Sequence, residues 1–171
     1  MRRLHVPGVV FVALVASIAM EHSRGSDPKA KNEDQRVKKL FETMRDGKYA
    51  GIEFPQLDWG DVPALLEYAD STKMLKTFPR SDLSSQYEPE CSEGMVVLWL
   101  IEGIRTGGRN PSLNVLCFKA GGGGTNWGKA SEDNHKEVAK VYRAWWEKAK
   151  SLPHEKARTL DPLKDTNLAW H

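Results

Sequence analysis

The glycine-rich stretch AGGGGTNWGKAS, residues 120–131, comes closest to a chemical motif in this sequence. A phosphate loop, G-x-x-x-x-G-K-[ST], holds a nucleotide with backbone N–H groups, a lysine and a hydroxyl that binds Mg²⁺. Gly123, Gly128 and Lys129 have the required spacing, but Ala130 stands where the hydroxyl is needed. No apolar run elsewhere in the sequence ends in an aspartate suited to the metal. We therefore predict a flexible connector rather than a nucleotide site.

Glu102 lies next to the most apolar run of the chain, three residues before Arg105. Burial favours the protonated form of a carboxylate without a partner, and a protonated carboxylic acid can act as a general acid. One hypothesis is therefore a small hydrolase that uses Glu102 or another loop carboxylate. The other is an ion pair with Arg105, or with another basic residue, at the exposed end of the helix, and the frequency of such pairs on helix surfaces favours it.

The acidic residues around Cys91 suggest a metal site only superficially. Glu88, Glu90 and Glu93 do not have the spacing of a calcium loop, and hard cations need six or more oxygen ligands. We interpret them as an acidic, solvated start of a helix. The sequence predicts neither a metal site nor a cofactor.

Six tryptophans are many for 171 residues. Trp99 and Trp145 fall on apolar helical stripes, which is typical of core packing. Trp146 lies on a face next to that of Trp145. Trp127 lies in the glycine-rich stretch, and aromatic side chains in loops of exported proteins can form platforms for sugar rings. Trp127 is therefore the candidate ligand-binding residue.

The N-terminus has the layout of a secretory signal peptide. Two arginines precede an apolar run over residues 6–20, and small residues at Ser17 and Ala19 favour cleavage after Ala19. The alternative, an uncleaved anchor, is disfavoured because the run is shorter than the roughly 20 residues that span a bilayer. We expect a signal peptide over 1–19, a disordered leader over 20–32, and a periplasmic or secreted protein without a stable membrane span.

Removal of the signal makes the chain electrically neutral. The whole sequence has 25 basic and 23 acidic residues, and Arg2 and Arg3 lie within the signal, so 23 of each remain. The overall basic surface of a nucleic-acid-binding protein is therefore absent. The roughly 150 remaining residues suffice for one domain with a core, which we place at 33–171.

Two cysteines, Cys91 and Cys117, lie in the predicted mature chain. In an oxidising compartment they could form one disulfide, which would stabilise the fold by roughly 3–4 kcal/mol. The alternative is two separate buried thiols. Cys117 and His135 could also form a nucleophile and a base, but no local signature supports that pair.

The first two predicted helices have clear ends. Asn32 resembles a capping residue before an apolar stripe of helical period, and Gly47 ends that helix. Asp61 is a good N-cap for a short helix over about 62–69.

The last two predicted helices form the centre and the end of the domain. Residues 95–101 are apolar on all sides, which indicates a buried element but does not separate a helix from a strand. The acidic residues before the run, Arg105 after it and the stop at Gly107 favour a helix. The final helix is capped by Ser131, and the tail after it ends in Leu168 and Trp170, which we expect to dock on the body. The predicted fold is mainly α: an irregular bundle, or a short helical-hairpin array, of about four helices with long loops.

Several segments together resemble an uncharacterised family of small exported bacterial proteins. They are WGDVPALLEYAD, FPRSDLSSQ, ECSEGMVVLWLIEGIR with PSLN, VYRAWWEK and DPLKDTNLAW, and the resemblance covers most of residues 35–171. It implies a signal-bearing, mainly helical protein related to HEAT-like helical repeats. The resemblance implies no catalytic residue.

The sequence therefore predicts an exported, non-enzymatic binding or structural protein. Its expected partner is another exported protein or a carbohydrate, and not a nucleic acid. The alternative is the small hydrolase that uses Glu102.

Overall fold

The computed structural model describes residues 28–50, 53–79, 91–119 and 132–170. These residues form a mainly α-helical fold, as the sequence predicts. The α-helices are α1 (Pro28–Arg45), α2 (Val62–Glu67), α3 (Glu93–Thr106), α4 (Glu132–Ala149) and α5 (His154–Thr159). The short strands are β1 (Met74–Leu75), β2 (Cys91–Ser92), β3 (Cys117–Lys119) and β4 (Leu168–Trp170).

Helix α3 is the centre of the core. All its residues from 93 to 104 are buried, and α2, α4 and α5 contact it. The Ser92 side chain caps its start by accepting a hydrogen bond from the Met95 N–H. Gly107 ends the helix with a φ of 116°, a left-handed conformation that favours glycine. The prediction of a buried helix stopped by Gly107 is confirmed.

Helix α1 begins earlier than its expected cap at Asn32. It starts at Pro28 and so includes residues 28–32, which the sequence analysis assigns to the leader. Proline suits the first turn because its fixed φ is helical and its missing N–H would be unsatisfied there anyway. The apolar stripe of α1 buries Val37, Phe41 and Met44 completely.

Asp61 precedes α2, but its carboxylate does not cap that helix. It accepts hydrogen bonds from the Asp58 N–H at 2.8 Å and from Arg36 at 2.6 Å. Asp58 in turn accepts from the Gly60 N–H, which completes a capping box for the 3₁₀ turn Trp59–Asp61. The Asp61 carboxylate does not cap α2 in part because Pro63, in the first turn of that helix, has no N–H to donate to it.

Two small antiparallel sheets hold the segments between the helices. Strand β1 pairs with β2, and β3 pairs with β4. In the second sheet Cys117 lies opposite Trp170, and Lys119 lies opposite Leu168. The C-terminal residues therefore dock on the body as expected, and they do so as a strand. No helix in the described ranges is both long enough and apolar enough to cross a bilayer.

Cys91 and Cys117 are buried thiols that no disulfide joins in the structure. They lie in different sheets, Cys91 on β2 and Cys117 on β3. The Cys91 thiol donates a hydrogen bond to the Val115 carbonyl at 3.6 Å. Burial raises the pKa of the Cys117 thiol to about 12, so this group stays protonated at neutral pH. The structure thus has the alternative arrangement, two separate buried thiols.

Candidate ligand-binding groove

Three carboxylates are buried in the described part of the chain, and each forms an ion pair with an arginine. An unpaired charge in such surroundings would be strongly destabilising, so the arginines contribute to the stability of the fold. The pairs are Asp61 with Arg36 at 2.6 Å, Glu93 with Arg45 at 3.3 Å and Glu102 with Arg105 at 2.6 Å. Glu93 does lie in the first turn of α3, but it is 1% exposed, so the prediction of a solvated helix start is wrong for this residue.

Glu102 is bound at both oxygens. Arg105 donates to Oε1 at 2.6 Å and to Oε2 at 2.8 Å, and the Tyr142 hydroxyl also donates to Oε2 at 2.8 Å. The indole N–H of Trp170 donates to the Tyr142 oxygen at 2.8 Å. Burial raises the pKa of the Tyr142 phenol well above its usual value of 10. The predicted ion pair of Glu102 with Arg105 is confirmed, but its expected exposure is wrong, since the two side chains are 9% and 13% exposed. The network of this pair ties α3, α4 and β4 together.

His135 is held by the backbone of a neighbouring segment. It is 3% exposed, and its Nε2 lies 2.5 Å from the Ala69 carbonyl oxygen, to which it donates. The ring also packs directly on Gly94, where a Cβ would collide with it. Nε2 therefore carries the proton of the neutral ring, and only Nδ1 could act as a base towards Cys117.

An open groove of about 720 Å³ lies between α2 and α4. Its volume falls within the roughly 300–1,000 Å³ that is usual for small-molecule sites. One wall comes from α2 and the other from α4, and apolar, aromatic and charged side chains alternate around it. The lining residues are Pro63, Leu66, Glu67, Arg143, Ala144, Trp146 and Glu147.

Trp146 is the aromatic residue of this groove, and other rings hold it in place. Its indole is partly exposed and packs on Trp59 at 5.3 Å and on Trp145 at 5.9 Å between ring centroids. Trp59 is itself packed between Trp145 at 5.6 Å and His154 at 5.1 Å. The Trp146 ring is therefore positioned before any ligand arrives.

Polar groups beside Trp146 can both donate and accept hydrogen bonds. The Arg143 guanidinium is fixed by Asp70 at 2.6 Å and by the Leu66 carbonyl at 3.2 Å. The hydrogen bond from Arg143 lowers the pKa of the Asp70 carboxyl. Glu147 pairs with Lys150, and both Glu67 and Glu147 are exposed. The groove thus offers an oriented donor and two acceptors next to an apolar ring.

Some of the residues predicted to be functional or to belong to the core lie in the described part of the chain, and others lie outside it. Trp127 and the glycine-rich stretch lie outside the described residues, as do Glu88 and Glu90. Trp99 and Trp145 are 1% and 5% exposed, which confirms their assignment to the core. Within the described residues, no group of three or more His, Cys, Asp and Glu side chains is placed to hold a metal ion.

The sequence analysis does not select Trp146, which lines the groove, and places it only on a face next to that of Trp145. The available signal was periodicity: Arg143, Trp146 and Glu147 recur at helical spacing on one side of α4. That pattern shows that the three side chains share a surface. It does not show that α2 supplies an opposite wall.

The family described as Domain of unknown function (DUF4943) matches residues 31–171. The chain belongs to the DUF4943 family. This confirms the resemblance to an uncharacterised family, and the DUF4943 region includes both walls of the groove. The relation to HEAT-like repeats stays a prediction. No curated protein and no solved structure matches the chain.

Proposed function

We propose that this protein is an exported, non-enzymatic binding protein that holds a carbohydrate in the groove between α2 and α4. The observation that carries the proposal is the partly exposed Trp146 indole, supported from within by Trp59 and flanked by Glu67 and Arg143. The basic and apolar pattern of residues 1–19 supports export.

The groove suits the chemistry of a sugar ring. A pyranose has an apolar face of C–H groups and an edge of hydroxyls, and the face of an indole can pack against the former. Glu67 and Glu147 can accept hydrogen bonds from hydroxyls, while Arg143 can donate to sugar oxygens. Because Trp146 and Arg143 are already held by protein contacts, binding costs little side-chain entropy.

The hydrolase alternative has less support. A general acid must reach the substrate with a group that can give up a proton. Both oxygens of Glu102 accept hydrogen bonds from Arg105 and Tyr142 instead.

The proposal is tested by measuring affinity for neutral oligosaccharides, such as cello-, xylo- and malto-oligomers, by titration calorimetry. We expect Trp146→Ala to weaken binding at least tenfold, about 1.4 kcal/mol, because aromatic anchors dominate such sites. Leu113→Ala is the matched control, since Leu113 is 60% exposed and outside the groove. It should bind as the wild type does. Wild-type affinity in Trp146→Ala, or no binding of any oligosaccharide, would contradict the proposal.

A further inference from the structure

A second groove of about 430 Å³ lies on the other side of α2, against α1. Helix α1 contributes three polar side chains, and α2 with Tyr68, the residue that follows it, contributes the rest of the lining. The lining residues are Asp34, Gln35, Lys38, Ala64, Glu67 and Tyr68.

The two grooves have the same kinds of side chain. The first has Trp146 and Arg143 beside carboxylates, and the second has Tyr68 and Lys38 beside carboxylates. The Tyr68 ring is positioned by Phe41, with 5.3 Å between the ring centroids. Each groove therefore combines one aromatic face with groups that donate and accept hydrogen bonds.

Glu67 borders both grooves, so the two are adjacent across α2. A ligand that fills both must cross the solvent side of this helix, where Pro63 and Glu67 are exposed. A helix with its side chains is about 10 Å across, so one sugar ring cannot reach both aromatic residues. A chain of several sugar units can.

The charges of the two grooves disfavour an anionic chain. Asp34, Glu67 and Glu147 contribute three carboxylates along the path. Glu147 is already paired with Lys150. Of the two cationic side chains there, Arg143 is already paired with Asp70. Setting these two pairs aside leaves the carboxylates of Asp34 and Glu67 against the single cation of Lys38. A polysaccharide rich in uronic acids would meet net repulsion, whereas a neutral one would not.

We infer that the ligand is an extended neutral oligosaccharide that crosses α2 and occupies both grooves, with Trp146 and Tyr68 as its two aromatic platforms. This rests on the proposed function, because it extends the same site. Short oligosaccharides use the Trp146 groove alone, and longer ones gain the contacts of the Tyr68 groove.

The test is affinity as a function of chain length, from disaccharide to hexasaccharide. We expect at least a tenfold gain over this range in the wild type. Tyr68→Ala should remove most of the gain without changing disaccharide binding. Lys38→Ala, which alters an exposed side chain, tests the same groove without disturbing the packing on Phe41. It should weaken hexasaccharide binding at least threefold, and the exposed neighbour Lys39→Ala is its matched control.

The outcomes separate this inference from the proposed function. Binding that depends on Trp146 but not on chain length, Tyr68 or Lys38 would show that the ligand does not occupy the second groove. The proposed binding in the first groove would then still stand. A uronic acid oligomer that binds more tightly than a neutral oligomer of equal length would overturn the neutral assignment. Oligosaccharide affinity that is the same in Trp146→Ala as in the wild type would overturn both proposals.

Discussion

Replacing Glu102 by Gln tests the buried network that joins the central helix to the C-terminal strand. The substitution removes the negative charge while Arg105, whose side chain is 13% exposed, keeps its positive charge. Removing one partner of a buried ion pair costs about 3–5 kcal/mol. The Gln oxygen can still accept hydrogen bonds, but the amide NH₂ that replaces the second oxygen cannot accept one, and Arg105 keeps its bond to the Arg158 carbonyl at 2.7 Å. We therefore expect a loss of about 2–4 kcal/mol in the free energy of unfolding.

The assay is urea unfolding followed by tryptophan fluorescence and by circular dichroism. For a domain of this size a loss of that magnitude should lower the melting temperature by about 10 °C. Tyr142→Phe removes the other donor to Glu102, so a double-mutant cycle with Glu102→Gln should give a coupling energy of at least about 0.5 kcal/mol. Glu42→Gln, on the exposed side of α1, is the control and should change stability by less than about 0.5 kcal/mol. A Glu102→Gln variant as stable as the wild type, or more stable, would refute the structural role and favour a functional carboxylate.

Two further predictions concern the core. Burial raises the pKa of Cys117 to about 12 from 9.0, so its contribution to stability is complete below pH 9 and is lost as the pH rises towards 12. Between pH 9 and pH 11 the wild type should lose roughly 2–3 kcal/mol more than Cys117→Ala, measured by urea unfolding at each pH, and equal losses would contradict the assignment. Gly103→Ala should destabilise the fold by about 1–3 kcal/mol, because the new Cβ would collide with the Phe54 ring and with the Arg109 carbonyl oxygen. Combining it with Phe54→Ala should reduce the Gly103→Ala penalty without abolishing it, because the Arg109 carbonyl oxygen still lies 2.8 Å from the new Cβ. An unchanged penalty would show that the Phe54 ring is not its cause.

The helices were largely predictable because their signals are local. The apolar run 95–101, the acidic start and Gly107 all belong to α3 itself, so the sequence alone indicates where that helix lies. Helix α5 was not predicted, because a helix of six residues is unstable alone and depends on its packing against α3 and α4. The strands, of two or three residues each, likewise exist only through pairing with distant segments.

The site was harder to predict because it depends on contacts between distant residues. Arg36 reaches Asp61 across 25 positions, and this contact replaced the expected cap of α2. The groove needs α2 to pack beside α4, so nothing near Trp146 in the sequence reveals it. The sequence could identify Trp146 as an aromatic residue near the surface of α4, but only the fold shows that α2 lies opposite it and forms the other wall of the groove.

The most direct test of carbohydrate binding in the α2–α4 groove is NMR of the six tryptophan indole N–H groups during titration with a neutral hexasaccharide. Each signal can be assigned from single Trp→Phe variants. The groove assignment predicts the largest shift at Trp146, a smaller one at Trp59 and almost none at Trp99, which is buried on α3. The largest shift at Trp127, or no shift at any indole, would contradict it.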